Sequence, residues 1–375
     1  MESLSSDEQY QERILPHVSR TFALTIPQLP PALCTPVTNA YLLCRIADTI
    51  EDEPALSASD TLAFLNRFSA VVGGTGEPGA LARELESRLS ERTLATERDL
   101  VVNMDRVIRV TANLGKAQQS AIQRCVALMC YGMPRFQFNA RVGGLPRSSD
   151  LDDYCYYVAG VVGEMLTELF CDHSADIARR RPALNALAAS FAQGLQMTNI
   201  LKDVWEDRSR GACWLPQEVF TRHGVDLSQL ASESQCAGFS AGISELLGVA
   251  HAHLRNALDY ALLIPAKEQG IRRFCLWAIG LAVLTLRKIA RNPGYTAGAQ
   301  VKIRRSAVSM TLLLTNLAVQ KDWLLKGLFA RATRGLPLAR LSDVQHLRSA
   351  PLHSENAADL EPQQTRLRSC GSSSS

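Results

Sequence analysis

The chain has 375 residues, of which 46% are hydrophobic and 21% are charged, so it can bury a large core as one big domain or two ordinary ones. Its formal net charge of +3 is small for this length, which argues against nucleic acid as a partner. Because the ten cysteines are scattered without a CxxC pair and no cleavable apolar leader opens the chain, we expect a reducing cytoplasm, no disulfide framework and no zinc site.

Apolar residues recur at three- and four-residue spacing from about Pro31 to Arg334, which predicts an all-α fold. Helix breaks are expected at seven proline or glycine positions: Pro30-Pro31, Gly73 to Gly79, Gly143 to Pro146, Pro182, Gly211 to Pro216, Pro265 and Pro293-Gly294. None of these is a long linker, so we expect one domain over residues 11–335. The polar residues 1–10 are expected to be frayed, and the polar residues 336–375 to be disordered.

The two longest apolar stretches, Phe274 to Leu286 and Ala307 to Val319, are shorter than the roughly 20 residues of a membrane-spanning helix. They are predicted to be buried helices. Further on, large apolar residues alternate with cations: Trp323, Leu324, Leu325, Leu328 and Phe329 with Lys321, Lys326 and Arg331. Two interpretations of that segment stay open, namely peripheral contact with a membrane surface and ordinary amphipathic packing against the core.

Two acidic motifs share the pattern DxxED, at Asp48 to Asp52 and at Asp203 to Asp207. With 18 aspartates in the chain, roughly one DxxxD pair is expected by chance, and Asp172 with Asp176 is interpreted as that pair. Requiring glutamate at the fourth place reduces the chance expectation to roughly 0.05 per chain. Two occurrences therefore indicate a function.

On a helix, the two aspartates of each motif would share one face with two polar residues that precede them, and together they form a polar stripe. The two stripes consist of Tyr41, Arg45, Asp48 and Asp52, and of Gln196, Asn199, Asp203 and Asp207. Like charges at positions i and i+4 of a helix repel each other. A helix in such apolar surroundings would therefore rarely keep both carboxylates without a cation between them. Mg²⁺ binds one or two carboxylates and completes its shell with water and phosphate oxygens. The pattern predicts a Mg²⁺ site that binds a diphosphate, and the alternative is two solvated helix faces.

Four blocks carry a family resemblance, in matching order and approximate spacing. They are Ser19 to Phe22 (SRTF), Tyr41 to Asp52 (YLLCRIADTIED), Tyr154 to Gly163 (YCYYVAGVVG) and Gln196 to Asp207 (QMTNILKDVWED). Over roughly residues 13–320 the chain resembles the squalene/phytoene synthase family of head-to-head prenyltransferases. The resemblance implies a single large helical bundle of the class I isoprenoid synthase type with a central cavity.

The resemblance also implies residue roles. Metal binding would fall to Asp48, Asp52, Asp203 and Asp207, with Glu51 and Glu206 in support and Mn²⁺ as an alternative metal. Diphosphate binding would fall to Ser19, Arg20, Arg45, Gln196, Asn199 and Lys202, although relatives more often carry arginine at the place of Lys202. Arg45, Tyr154 and Tyr157 would be catalytic, the tyrosines by stabilising a carbocation or handling a proton. Gly160 and Gly163 fit either a trough for prenyl chains or close helix packing.

Two further blocks, Val301 to Val308 (VKIRRSAV) and Trp214 to Val219 (WLPQEV), resemble the squalene-forming branch of the family. This implies NADPH as a cofactor, with its phosphate bound by Lys302, Arg304 and Arg305. No GxGxxG motif is present, so no Rossmann fold is expected. A solvated basic stretch is the alternative interpretation.

The expected reaction is head-to-head condensation of two farnesyl diphosphates to presqualene diphosphate, followed by reduction with NADPH to squalene, a precursor of sterols or hopanoids. Three alternatives stay open: a phytoene or dehydrosqualene synthase without reduction, head-to-tail chain elongation, and a non-catalytic helical scaffold. We expect a monomeric, cytoplasmic protein, with membrane contact, if any, limited to its surface.

Overall fold

The computed structural model describes residues 5–137, 143–230 and 237–339. Within these ranges the chain is helical and contains no β-strand, apart from an isolated bridge between Leu145 and Pro216. The all-α prediction is therefore confirmed.

The first half of the chain forms short and medium helices around the long helix α3. Their bounds are α1 Ser6–Val18, α2 Arg20–Thr25, α3 Pro31–Asp52, α4 Ala58–Val72, α5 Pro78–Arg88, α6 Ala95–Val102, α7 Met104–Asn113, α8 Lys116–Gly132 and α9 Pro134–Gln137. A 3-10 turn, Ile26–Gln28, joins α2 to α3. Helices α3 and α5 each have a proline in the first turn, at Pro31 and Pro78. Proline is favoured there because the backbone N–H that it lacks would have no partner within the helix.

The second half contains the three longest helices of the described chain, each of them longer than α3. Their bounds are α10 Ser148–Cys155, α11 Val161–His173, α12 Ala175–Ala178, α13 Arg181–Ser209, α14 Gln217–Arg222, α15 Ala237–Leu263, α16 Gln269–Arg291, α17 Arg305–Ala318 and α18 Asp322–Thr333. A π-helical turn, Tyr156–Gly160, joins α10 to α11, and 3-10 turns lie at Leu227–Gln229 and Gly298–Val301. The predicted breaks at Pro182, Pro265 and Pro293 all coincide with helix boundaries.

Close packing of α11, α13 and α15 forms the centre of the core. A Cβ atom on Gly163 of α11 would lie 2.0 Å from the carbonyl oxygen of Ala188 on α13. A Cβ atom on Gly194 of α13 would lie 3.0 Å from Cβ of His253 on α15. Glycine is thus required for the α11–α13 approach, which supports the packing interpretation of Gly163.

The helices that carry the two acidic motifs are held by a common neighbour. Both α3 and α13 pack against α11. Gly211, with a φ of 88°, ends α13 just after the second motif, because this left-handed conformation stops a helix. Both motifs therefore lie at the carboxyl ends of rigid helices.

Residues 5–10 correct the expectation of a frayed start. Ser5 and Glu8 form a capping box, each side chain bonding to the other residue's backbone N–H, and Tyr10 is only 1% exposed. At the other end, residues 336–339 pack against α15, where the N–H of Ala339 donates to Gly248 O and the ring of His251 contacts the carbonyl oxygen of Pro337 at 2.8 Å. Residues 1–4 and 340–375 lie outside the described residues.

The two long apolar stretches differ in burial. Phe274 to Leu286 lies in α16 and is largely buried, as predicted. Ala307 to Val319 forms most of α17, where burial is confined to Thr315 and Ala318, so the prediction of a second buried helix was wrong. Hydropathy identified the helix, but it did not show that one face of α17 contacts no other segment among the described residues.

The α18 segment packs largely as an ordinary amphipathic helix. Leu325 is buried, while Leu324, Leu328 and Phe329 pack against the core and Trp323 is exposed. No helix among the described residues is long and apolar enough to cross a membrane. The eight described cysteines are free thiols, and seven of them are buried.

Candidate active site

Both acidic motifs occupy the last turns of their helices, α3 and α13. A helix carboxyl end carries a partial negative charge, so carboxylates there are disfavoured unless a cation is near. Asp52 is the last residue of α3, and Asp207 lies two residues before the end of α13. The motif carboxylates and the partial negative charges of the helix carboxyl ends therefore lie in the same regions of the structure.

Arg210 links the two motifs directly. Its guanidinium lies 2.6 Å from Oδ1 of Asp207 and 3.9 Å from Oδ2 of Asp52. Burial is the main cause of the raised pKa of Asp207, and the negative charge of Asp52 adds to it. The contacts of Arg210 therefore bring the ends of both motifs around one cation.

The carboxylates of the motifs are electrostatically strained. Burial raises the pKa of Asp48 to about 7, with repulsion from Asp52 and Glu97 adding to it and Arg45 opposing it. Burial likewise raises the pKa of Asp207 to about 6, against the hydrogen bond from Arg210. Both shifts indicate that the site favours protonated carboxyls or a bound cation.

The remaining motif residues differ in their surroundings. Glu51 is buried, and burial together with Asp52 and Asp48 raises its pKa well above the ordinary value. Glu206 is exposed and lies against the 3-10 turn Gly298–Val301, since a Cβ atom on Gly298 would lie 2.4 Å from its Oε1. Burial thus favours the neutral form of Glu51, and Glu206 positions a neighbouring loop.

Arg45 lies between the first motif and a residue that the sequence did not reveal. Its guanidinium pairs with Glu97 of α6 and lies 3.9 Å from Asp48. Glu97 is 52 residues away in sequence and belongs to no motif, so no spacing rule could have found it. It holds one face of Arg45 and adds negative charge near Asp48.

The predicted diphosphate-binding residues on α13 lie beside the second motif. Lys202 Nζ pairs with Oδ2 of Asp203 at 3.0 Å and donates to Asn199 at 3.5 Å. Asn199 is exposed and Gln196 is half-buried. These three polar side chains therefore accompany Asp203 along one face of α13.

The SRTF block lies at the start of α2. The hydroxyl of Ser19 accepts a hydrogen bond from the Phe22 N–H and so caps this helix. Tyr41, which begins the first stripe, packs against Phe22 with the two rings tilted by 41°, and its hydroxyl donates to the carbonyl oxygen of Val18 at 2.9 Å. The block thus contacts α3 one turn before Arg45, whereas the side chain of Arg20 lies outside the described part of the structure.

An aromatic cluster surrounds the tyrosines of the third block. Tyr154 stacks on Trp214 with ring centroids 3.8 Å apart and planes 7° apart, and Phe136 meets it edge-on at 5.8 Å. Tyr157 contacts Phe136 and Tyr131 at 6.3 and 6.2 Å. Trp214 belongs to the WLPQEV block, but its stacking on Tyr154 could not be read from spacing.

The cluster adjoins the first acidic motif. Burial raises the pKa of Tyr154 well above its ordinary value, and the charges of Glu51, Asp52 and Asp48 add to the shift. Tyr154 therefore stays a neutral phenol near the carboxylates. The π-helical turn Tyr156–Gly160 bends the chain here, a feature that often marks functional sites.

One glycine makes room for the second tyrosine. A Cβ atom on Gly132 of α8 would lie 2.0 Å from the ring of Tyr157. A larger residue at 132 would displace that ring. Gly132 was not identified from the sequence, where an isolated glycine at a helix end has no distinctive pattern.

The basic block at 302–305 follows a turn that packs on α13. Trp205 of α13 donates its indole N–H to the carbonyl oxygen of Tyr295 at 2.7 Å, and Gly298 contacts Glu206. Beyond this turn, a cavity of about 380 Å³ lies between α16 and the start of α17. Its lining comprises Leu284, Arg287, Lys288, Arg291, Ile303, Arg304 and Ala307.

The donors at the two helix ends fit a divalent metal. They are carboxylates, hard oxygen ligands, and their raised pKa values show crowded negative charge that a cation would relieve. Among the residues that the structure describes, no three acidic, histidine or cysteine side chains lie close enough together to hold an ion by themselves. Glu97, Arg210 and Trp214 are the contacts that the motifs did not reveal. For Arg210 the signal was available, since it lies three residues after Asp207 on the same helix face.

Known squalene synthases are similar to this chain in sequence. Squalene synthase ERG9 of Candida albicans is 30% identical over 312 residues, covering 79% of this chain and 64% of the relative. Squalene synthase R6 of a Phoma species is 31% identical over 298 residues, covering 77% and 67% respectively. Squalene synthase ERG9 of Gibberella zeae is 29% identical and is covered over 58% of its length. The chain thus spans about three fifths to two thirds of the length of these relatives.

Solved structures share the fold. The complex of TcSQS with the ligand BPH1237 superposes with a TM-score of 0.70 at 23% identity, covering 91% of this chain and 96% of that one. A dehydrosqualene synthase in complex with a ligand gives 0.59 at 22% identity, covering 82% and 94%. These likenesses confirm the class I isoprenoid synthase helical fold. The sequence profile of squalene/phytoene synthases matches residues 15–307, well over half of the chain, and the chain therefore belongs to the squalene/phytoene synthase family.

Proposed function

We propose that this protein condenses two farnesyl diphosphates head to head to presqualene diphosphate and reduces that product with NADPH to squalene. The first step releases one diphosphate and a proton, and the second transfers a hydride and releases the other diphosphate. The observation that carries the proposal is the meeting of two DxxED motifs at Arg210, between the ends of α3 and α13. Family membership and the squalene synthase relatives support it.

In this proposal Asp48, Asp52, Asp203 and Asp207 hold Mg²⁺, or Mn²⁺, together with phosphate and water oxygens. The bound metal would neutralise charge that develops on the departing diphosphate. Glu51 is buried beside Asp48 and Asp52 and would become a carboxylate when a metal offsets their charge, while Glu206 positions the 298–301 turn. Arg210 would give up its contacts with both motifs when the metal enters.

Positively charged and polar side chains would orient the diphosphates. Arg45 is held by Glu97 next to Asp48, where its guanidinium can stabilise the leaving group. Lys202 lies at the second motif as a point charge. The remaining proposed diphosphate-binding residues are Ser19, Arg20, Gln196 and Asn199.

Aromatic side chains would line the predicted central cavity near the reacting carbons. Tyr154, stacked on Trp214, presents a neutral phenol beside the first motif, so it can stabilise a carbocation with its ring or hold a proton. Tyr157, packed against Phe136 and Gly132, extends the apolar wall. Such a wall excludes the water that would quench an allylic cation.

NADPH would bind through its phosphate to Lys302, Arg304 and Arg305. Lys302 and Arg304 lie on the loop that follows the 298–301 turn, and Arg305 is the first residue of α17. Arg304 also lines the cavity between α16 and α17, together with Arg287, Lys288 and Arg291. Four cations around one cavity favour a phosphate-bearing ligand. A phytoene or dehydrosqualene synthase is the second candidate, since a dehydrosqualene synthase shares the fold.

We expect the protein with Mg²⁺ and farnesyl diphosphate to form squalene when NADPH is present and presqualene diphosphate when it is absent. Chromatography with mass spectrometry identifies the products. Arg304→Ala should raise the NADPH concentration for half-maximal squalene formation about tenfold without slowing the first diphosphate release. A hydrocarbon whose identity is the same with and without NADPH would assign the non-reducing reaction, and no diphosphate release would indicate a scaffold.

Asp48→Asn and Asp203→Asn should each lower turnover by about a thousandfold, because each removes a proposed metal ligand. Diphosphate release measures the effect. Asp172→Asn is the matched control, since Asp172 is an exposed aspartate of α11 that accepts a hydrogen bond from Gln118. Equal tolerance at all three positions would refute the site assignment.

The metal-free protein should lose stability as pH rises. Asp48 and Asp207 have folded-state pKa values of about 7 and about 6 against an ordinary 3.8, so the fold favours their protonated forms and this stability is lost between about pH 4 and 7. Mg²⁺ should therefore raise the melting temperature by about 2–4 °C more at about pH 8 than at about pH 5.

Differential scanning calorimetry measures this difference. The double variant Asp48→Asn, Asp207→Asn should lose most of both the pH dependence and the Mg²⁺ response. An unchanged Mg²⁺ response in that variant would place the metal elsewhere.

A further inference from the structure

Large apolar side chains are exposed together on α17 and the start of α18. The exposed fractions are 55% for Met310, 53% for Leu313, 40% for Leu314, 68% for Leu317 and 73% for Trp323. Five of the eleven exposed large hydrophobic residues in the described part of the chain thus fall within fourteen positions. Scattered apolar residues are normal on a surface, but a contiguous group marks an interaction site.

The group forms one stripe that points away from the core. Met310, Leu314 and Leu317 step by four and three, and Leu313 lies beside them, so all four share one helix face. The opposite face packs on α16, where a Cβ atom on Gly280 would lie 2.6 Å from Thr311. The stripe, here called the α17 face, consists of Met310, Leu313, Leu314 and Leu317.

The chain on both sides of the α17 face is rich in cations. From residue 269 to 321 there are nine lysines and arginines and no aspartate or glutamate, although the whole chain has 40 basic and 37 acidic residues. Arg272 of this segment is buried and paired with Asp322. The exposed cations include Arg305 at the start of α17, Lys321 after its end and Lys326 on α18.

We propose that the α17 face lies on an anionic lipid bilayer, with its apolar side chains and Trp323 among the acyl chains and the surrounding cations at the headgroups. An apolar stripe, a terminal tryptophan and basic flanks are the combination by which helices lie in a membrane interface. A second copy of the chain fits worse, because pairing two such faces would bring like charges together. On the proposed function, this surface would also give an apolar product a nearby lipid phase.

Flotation with vesicles tests the proposal. The full chain should bind vesicles that contain phosphatidylglycerol, bind pure phosphatidylcholine vesicles much more weakly, and be released by salt. The triple variant Leu313→Ser, Leu317→Ser, Trp323→Ser should bind at least about tenfold less, and Lys321→Glu with Lys326→Glu should lose the preference for anionic lipid.

The matched control is Leu62→Ser with Leu94→Ser, residues that are 45% and 60% exposed on other helices. This variant should bind vesicles as the unchanged protein does. Diphosphate release in the absence of vesicles should be the same in all variants, which shows that each is folded and keeps this test separate from that of the proposed function.

Several results would overturn the proposal. These are absence of vesicle binding, equal binding by the triple variant, and a concentration-dependent dimer that Leu317→Ser dissociates while no vesicles are bound. The proposal would also be overturned if vesicles bound only a protein that ends at Ala339. In that case residues 340–375 would be the segment that covers the α17 face in the full chain.

Discussion

Electrostatic repulsion among carboxylates at the ends of two helices is the constraint on which the rest of the site depends. Asp48 and Asp52 end α3, Asp203 and Asp207 end α13, and the negative ends of both helix dipoles add to their charge. Burial raises the pKa values of Asp48 and Asp207 toward neutrality, so the folded protein holds charge that it does not stabilise by itself. Arg210 relieves part of this repulsion, and a metal bound with diphosphate would relieve more. Glu97 and the packing of α3 and α13 on α11 keep the strained groups in place.

The sequence predicted the helical class and the shared helix face within each acidic motif because both depend on local spacing. A period of 3.6 residues places Asp48 and Asp52 on one face, and the same arithmetic applies to Asp203 and Asp207. The partners of these residues depend on tertiary contacts between distant segments, so Glu97 and Trp214 could not be assigned. Ser19 shows the opposite case, since its hydroxyl has a local capping role that a motif match alone does not distinguish from ligand binding.

Burial was harder to predict than secondary structure. Phe274 to Leu286 and Ala307 to Val319 have similar hydropathy, yet the first is enclosed by α13, α15 and α17 while the second has neighbours on one side. Tyr10 shows the reverse, because a polar segment places one aromatic ring in the core through its capping box and its hydrogen bond to Asp99. Composition reports how apolar a segment is, whereas burial depends on which other segments cover it.

In the proposed reaction, carboxylates from both helix ends share metal ions with a diphosphate. Crystals grown with Mn²⁺ and inorganic diphosphate, measured at the manganese absorption edge, locate these ions. We expect anomalous peaks roughly 2.1 Å from carboxylate oxygens of both motifs, with Arg210 moved away from Asp52 and Asp207. Peaks that touch neither motif, or diphosphate bound with Arg210 still bridging the two helices, would contradict it.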